Sequence, residues 1–168
     1  MLMEGRGGQR WVLKALREAG SSLVSELYGA EGHALGRRAD GEWSPAQIAG
    51  HLRDAEELAL AQMNALIQGA RRLPAWDVDV LAEERGYSAD DLPGLLAEFR
   101  SLRGQTTRLL RGLTEGEWQA SAQHPYRGEV GMGEIAHELA QHDLEHLWQI
   151  RKLKRELGAV STAEDVWD

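Results

Sequence analysis

Three of the six histidines in this 168-residue chain stand where a helix would bury apolar side chains. The stretch GEIAHELAQHDLEHLWQIRKLKREL has helical periodicity. With about 100° between successive residues, Ile135, Leu139, Ile150, Leu153 and Leu157 share one sector, with Met132 at its edge. His142 and His146 point into that sector one turn apart, whereas His137 lies opposite with Gln141 and Trp148. The same projection of the stretch opening SPAQIAGHL groups Ile48, Leu52, Ala55, Leu58, Ala59 and Leu66, and His51 falls among them. Side chains four residues apart on a helix are about 5–6 Å apart at Cβ. His142 and His146 can therefore grip one ion while His51 reaches it from a second helix. Neutral imidazole is a common ligand for zinc, nickel, iron and copper. A single buried histidine is ordinarily a hydrogen-bonded core residue. Three in one interior are harder to satisfy, because each ring has two nitrogens that need partners. Three ligands rather than four leave a position for water or substrate.

Helices must position these rings, and the sequence is rich in helix formers. Four long segments carry the 3.6-residue period: roughly 9–30, 45–69, 88–112 and 132–157. Ser44, Pro45 and Gln47 form a capping box with proline at the first helical position. The third segment starts near SADD, with Ser88 or Asp91 as cap and Pro93 in the first turn, and Gly158 is a stop for the fourth. TEGE predicts a short helical turn over 114–120. Connections 31–43, 70–87 and 113–131 are long for an up-down bundle, so a crossover is expected, with these loops rimming the site. The fold expected is all-α: one four-helix-bundle domain spanning 1–168, with residues 1–8 frayed. His33 and His124 fall in loops.

Bulk composition narrows the function further. The net charge is −8, with 19 basic and 27 acidic residues interleaved, which disfavours nucleic acid and anionic membranes as partners. Arg151, Lys152, Lys154 and Arg155 cluster where a helix ends, complementing its dipole. Cysteine is absent, which removes disulfides, thiolate metal sites and a cysteine nucleophile. No secretion signal and no membrane span is recognisable, so a cytoplasmic location is the expectation.

The motifs WSPAQIAGHL, from Trp43 to Leu52, and HDLEHLWQI, from His142 to Ile150, resemble the DinB-like (YfiT-like) family. The middle stretch, PAWDVDVLAEERGYSADDLPGLLAEFRSLR, is similar to its linker and third helix. The resemblance runs over roughly residues 10–157 and fills all three metal-ligand positions, with His51, His142 and His146. It implies a four-helix bundle with one divalent ion, zinc or nickel first and iron or manganese as alternatives, and a homodimer. It leaves the reaction open, since relatives include hydrolases, isomerases and S-transferases that use bacillithiol or mycothiol.

An open metal position suits activation of water or of a low-molecular-weight thiol. Either route needs an acid or base. Helical geometry nominates Asp54, Glu138 and Glu145, which can alternatively orient a ligand imidazole or simply face solvent. Asp143 points into the apolar sector and needs a partner, with Arg100, Arg103 or a dimer contact as the options. Trp43 and Trp148 are read as packing residues. No nucleophile-elbow context surrounds any serine. Three functions follow: a metal-dependent hydrolase or thiol S-transferase acting on a small molecule, a non-catalytic metal- or ligand-binding dimeric bundle, and a structural dimerisation module without metal.

Overall fold

A computed structural model of the chain describes residues 6–30 and 43–156. The helices are α1 (Arg6–Gly29), α2 (Pro45–Ile67), α3 (Val78–Arg85), α4 (Leu92–Arg111), α5 (Glu115–Trp118) and α6 (Met132–Glu156). A 3-10 turn, Ala89–Asp91, precedes α4, and a hairpin of β1 (Ser121–His124) and β2 (Gly128–Gly131) precedes α6. Helix α1 begins at Arg6, so Arg6, Gly7 and Gly8 of the segment expected to fray belong to it. Residues 1–5, His33, and Leu157 and Gly158 at the expected end of the last helix lie outside the described residues.

The four long helices are the four predicted. Ser44 caps α2 as its sequence requires: Gln47 N donates to Ser44 Oγ at 3.3 Å, and Ser44 N to Gln47 Oε1 at 2.9 Å. Ser88 caps the 3-10 turn, donating from its backbone N to Asp91 Oδ2 at 2.8 Å, so α4 itself starts one residue before Pro93. Helix α1 packs on α4 and α6, and α2 packs on the same two. The consecutive pairs α1/α2 and α4/α6 therefore sit on diagonals, which is the crossover the long connections imply.

The connections hold structure that periodicity did not reveal. Helix α3 lies in the stretch read as a loop, capped by Asp77, whose Oδ1 accepts from Asp79 N at 3.0 Å and Val80 N at 3.2 Å. The hairpin pairs Ala122 with Val130, its two buried residues, and is tied to the segment after α2 by Leu73 N donating to Gln123 O at 2.9 Å.

A polar layer divides the core. On one side lie Val12, Leu16, Met63, Leu110, Trp118 and Leu139; on the other Leu23, Leu27, Ile48, Leu96, Phe99 and Ile150. Between them the Arg103 guanidinium donates to Glu56 Oε1 (2.9 Å) and Oε2 (2.8 Å), to Asp143 Oδ1 (2.9 Å) and Oδ2 (2.7 Å), and to Leu16 O (2.7 Å). All five guanidinium N–H groups are thus used, and one side chain joins all four long helices. This answers the question raised by Asp143: its partner is Arg103. Gly20 makes room for it, since a Cβ there would stand 2.9 Å from Arg103 Nη1.

Candidate metal centre

His51 on α2 and His142 and His146 on α6 converge. His142 Nε2 lies 2.8 Å from His51 Nε2 and 2.9 Å from His146 Nε2. Their ligand atoms all fall within 4.8 Å of one another. His137 faces elsewhere, as its helical position requires: its Nδ1 bonds Gly133 O at 2.7 Å and its ring stacks on Trp11. His124 belongs to β1, where its Nδ1 accepts from Tyr126 N at 3.1 Å.

The convergent nitrogens form a donor set, not a hydrogen-bond chain. A ring nitrogen has either one proton or one lone pair, so His142 Nε2 can make only one good hydrogen bond with its two neighbours. His146 Nδ1 donates to Gln149 Oε1 at 2.7 Å, with the amide oriented oxygen-first, which leaves its Nε2 as a lone pair facing inward. Ligand nitrogens bound to one ion at about 2.0–2.1 Å stand roughly 3–3.5 Å apart, so small ring rotations suffice. The residues fit a divalent cation.

Electrostatics keep the rings neutral and ready to coordinate. Burial lowers the His51 pKa to about 4, with His146 adding to the effect. Burial, then His146, His51 and Arg103, takes His142 down to about 3, and burial also lowers His146. A neutral imidazole coordinates without first losing a proton.

These shifts predict how the metal-free protein responds to acid. The rings protonate near pH 6.5 when unfolded but only at lower pH when folded. As pH falls below about 6.5 the unfolded chain takes up protons that the folded chain refuses, so stability drops. The slope is up to about 1.4 kcal/mol per pH unit for each ring. Urea unfolding of metal-free protein at pH 7.5, 6.0 and 5.0 measures this, and a flat profile would refute the burial argument.

Around the triad, Trp43 stacks parallel to His146 with centroids 6.5 Å apart and leans on His51 at 4.8 Å. Its Nε1 donates to Glu83 Oε1 at 3.0 Å, so α3 holds the indole against the rings. This is the packing role read for Trp43, with the histidines as what it packs on. Gly50 permits a second close approach: a Cβ there would lie 2.0 Å from the Tyr87 ring.

The carboxylates nominated as acid or base have their hydrogen bonds elsewhere. Asp54 is fully buried rather than solvated. Its Oδ1 accepts from Arg85 Nη1 at 2.5 Å, Arg53 Nη1 at 3.0 Å and Tyr87 OH at 3.0 Å. Glu138 pairs with Arg127 of the hairpin turn at 2.9 Å. Glu145, exposed beside His146, has among the described residues only a 3.5 Å bond from Gln141. The carboxylate the fold does bring to the triad is Asp79, whose Oδ1 is 3.5 Å from His51 Nδ1. It went unnoticed because α3 did; Asp77 before it and Gly86 after it are the cap signals that mark the helix.

Four crossed helices with three interior imidazoles on two of them define a class: helical bundles able to hold one ion at the α2/α6 seam. The chain belongs to the DinB superfamily, whose sequence profile matches residues 13–150. It is 28% identical over 121 residues to a Bacillus subtilis protein named "Putative metal-dependent hydrolase YfiT", covering 71% of this chain and 68% of that one. The solved structure of YfiT superposes with a TM-score of 0.83 at 21% identity, over 93% of this chain and 91% of that chain. A Streptococcus pneumoniae protein superposes with 0.68 at 12% identity, over 91% and 92%. Among the described residues no helix is long and apolar enough to cross a membrane.

Proposed function

We propose that the chain is a divalent-metal-dependent hydrolase of a small molecule, with His51, His142 and His146 as the metal ligands and zinc or nickel as the ion. The observation that carries this is the meeting of three Nε2 atoms, two of them 2.8 and 2.9 Å from the central one, without enough protons to bond both to it. A bound ion supplies Lewis acidity to a substrate oxygen or sulfur. The protein's own groups do the rest. Gln149 fixes the His146 tautomer, Trp43 walls the rings, and Asp54 stands as a fixed charge behind His51. Glu145 is the carboxylate offered for proton transfer, since it is exposed and among the described residues its one bond is long. Glu138, held by Arg127, belongs to the hairpin rim.

Thiol S-transfer is the second reading. A site of three neutral nitrogens leaves the ion's full charge uncompensated, which favours a thiolate from a low-molecular-weight thiol as much as ionised water. The exposed Trp11, Leu144 and Trp148 on the α1/α6 face support self-association as a homodimer.

Metal-loaded protein assayed against ester and amide panels, and against a thiol with an electrophile, should turn over one class. A chelator should abolish that turnover and added metal restore it. Silence in both panels would favour the metal-binding bundle without catalysis. Sedimentation velocity of the same sample reads the pairing directly, and a monomer at all concentrations would remove the dimer.

A further inference from the structure

We propose that Asp79 is a positioning residue for His51, holding its Nδ1–H so that Nε2 presents a lone pair to the metal. The inference rests on the metal-holding reading above. Two observations carry it. His51 Nδ1 is buried on the side of the ring away from the triad and has no full hydrogen bond, with the Val78 backbone as its other nearby acceptor. Asp79 Oδ1 lies 3.5 Å from that same atom, slightly beyond a full hydrogen bond, and the Asp79 side chain is 75% exposed.

Placement of Asp79 is built into the fold. Asp77 caps α3 and accepts from Asp79 N, which sets Asp79 in the first helical turn, where a carboxylate also suits the helix dipole. Ala82 is buried, and Glu83 is held by the Trp43 indole. At the end of the helix and just beyond it, Arg85 and Tyr87 both bond Asp54, one turn after His51 on α2. These contacts all lie after Asp79; before it, Gln62 Nε2 of α2 donates to Pro74 O at 3.0 Å in the segment that leads into α3. The carboxylate meets the ring nitrogen opposite the one that faces the triad, so it acts through His51 and not as a ligand. A carboxylate on the far nitrogen of a ligating imidazole fixes its tautomer and raises its basicity, and loss of such a partner typically lowers metal affinity by about 10–100-fold. His146 has the neutral counterpart in Gln149, so two of the three rings are oriented by dedicated acceptors from different elements.

The test compares wild type, Asp79→Ala and Asp79→Asn. Zinc affinity is read by competition with a chromophoric chelator, and the His51 tautomer by nitrogen-15 NMR of the metal-free protein. Asp79→Ala should bind zinc about 10-fold or more weakly and lose the Nδ1–H preference at His51. Asp79→Asn, which keeps an acceptor oxygen, should recover most of both. An unchanged tautomer in Asp79→Ala overturns the proposal, as does unchanged affinity where wild type binds zinc. Wild type that binds no zinc sinks the metal reading instead, and the tautomer measurement still decides the role of Asp79.

Discussion

Arg103→Ala should destabilise the folded chain by roughly 3–5 kcal/mol, the cost of breaking a buried ion pair from one side. For a chain of this size that lowers the melting temperature by about 6–20 °C. The reason is the layer that Arg103 holds. Glu56 has no exposed surface and Asp143 is 1% exposed. Without the guanidinium, both carboxylates remain in the core with no counter-charge, and Leu16 O loses its donor. Burial already pushes the Asp143 carboxyl above its ordinary range while Arg103 pulls it down. Removing Arg103 raises it further, so the variant should take up a proton on folding at higher pH than wild type does. A raised carboxyl favours the folded state at low pH and loses that advantage as pH rises. The deficit relative to wild type should therefore shrink on acidification. The complementary variant Glu56→Leu/Arg103→Met/Asp143→Leu removes all three charges at once and should lie within about 1–2 kcal/mol of wild type, because desolvation nearly offsets the attraction in such clusters. Urea unfolding of both proteins measures the difference. An Arg103→Ala loss below about 1 kcal/mol, or a triple variant less stable than the single one, would contradict the account.

How much of this was legible follows from what a helix period can encode. The inward aim of His51, His142 and His146 depends only on position along two long helices, so it could be read before any packing was known. The capping box at Ser44 is equally local. Asp143 announced a missing partner by its place among Ile150 and Leu147, and Arg103 was one of two arginines nominated. Glu56 carried a similar signal, since on a wheel it sits among Leu52, Met63, Ala49 and Leu60, but no helix period identifies its partner, a guanidinium 47 residues away. The surroundings of Asp54 were equally hidden, because they are set by Arg85 and Tyr87, which are 31 and 33 residues distant. Helix α3 has eight residues and one buried position, Ala82, so it has no stripe to detect. With it went Asp79 and the Glu83 bond that seats Trp43. The hairpin likewise buries only Ala122 and Val130, too short an alternation to stand out. Long-range polar pairing, not apolar pattern, completes the site.

His142→Ala should empty the centre while leaving the bundle intact. His142 is the middle ring, within 2.8 Å of one partner and 2.9 Å of the other. Outer groups that merely orient a ligand are worth about 10–100-fold in metal affinity, so losing the central ligand itself should cost more than about 100-fold. Protein purified without added metal should contain close to one equivalent in wild type and almost none in the variant, by elemental analysis. Thermal unfolding supplies an independent readout. Added zinc stabilises a protein that binds it only when folded, so the wild-type midpoint should climb with zinc concentration and the variant's should not. Without metal the variant should be near wild type in stability, because the ring removed is half-buried and can bond only one of its two Nε2 neighbours. His137→Ala is the control on the same helix: its ring lies outside the triad, so metal content should persist. Turnover that depends on the ion must vanish with His142 and survive the loss of His137. A variant lacking His142 that still holds a full equivalent would move the metal elsewhere, and wild type with only traces of metal would leave the three rings as core residues of a purely structural bundle.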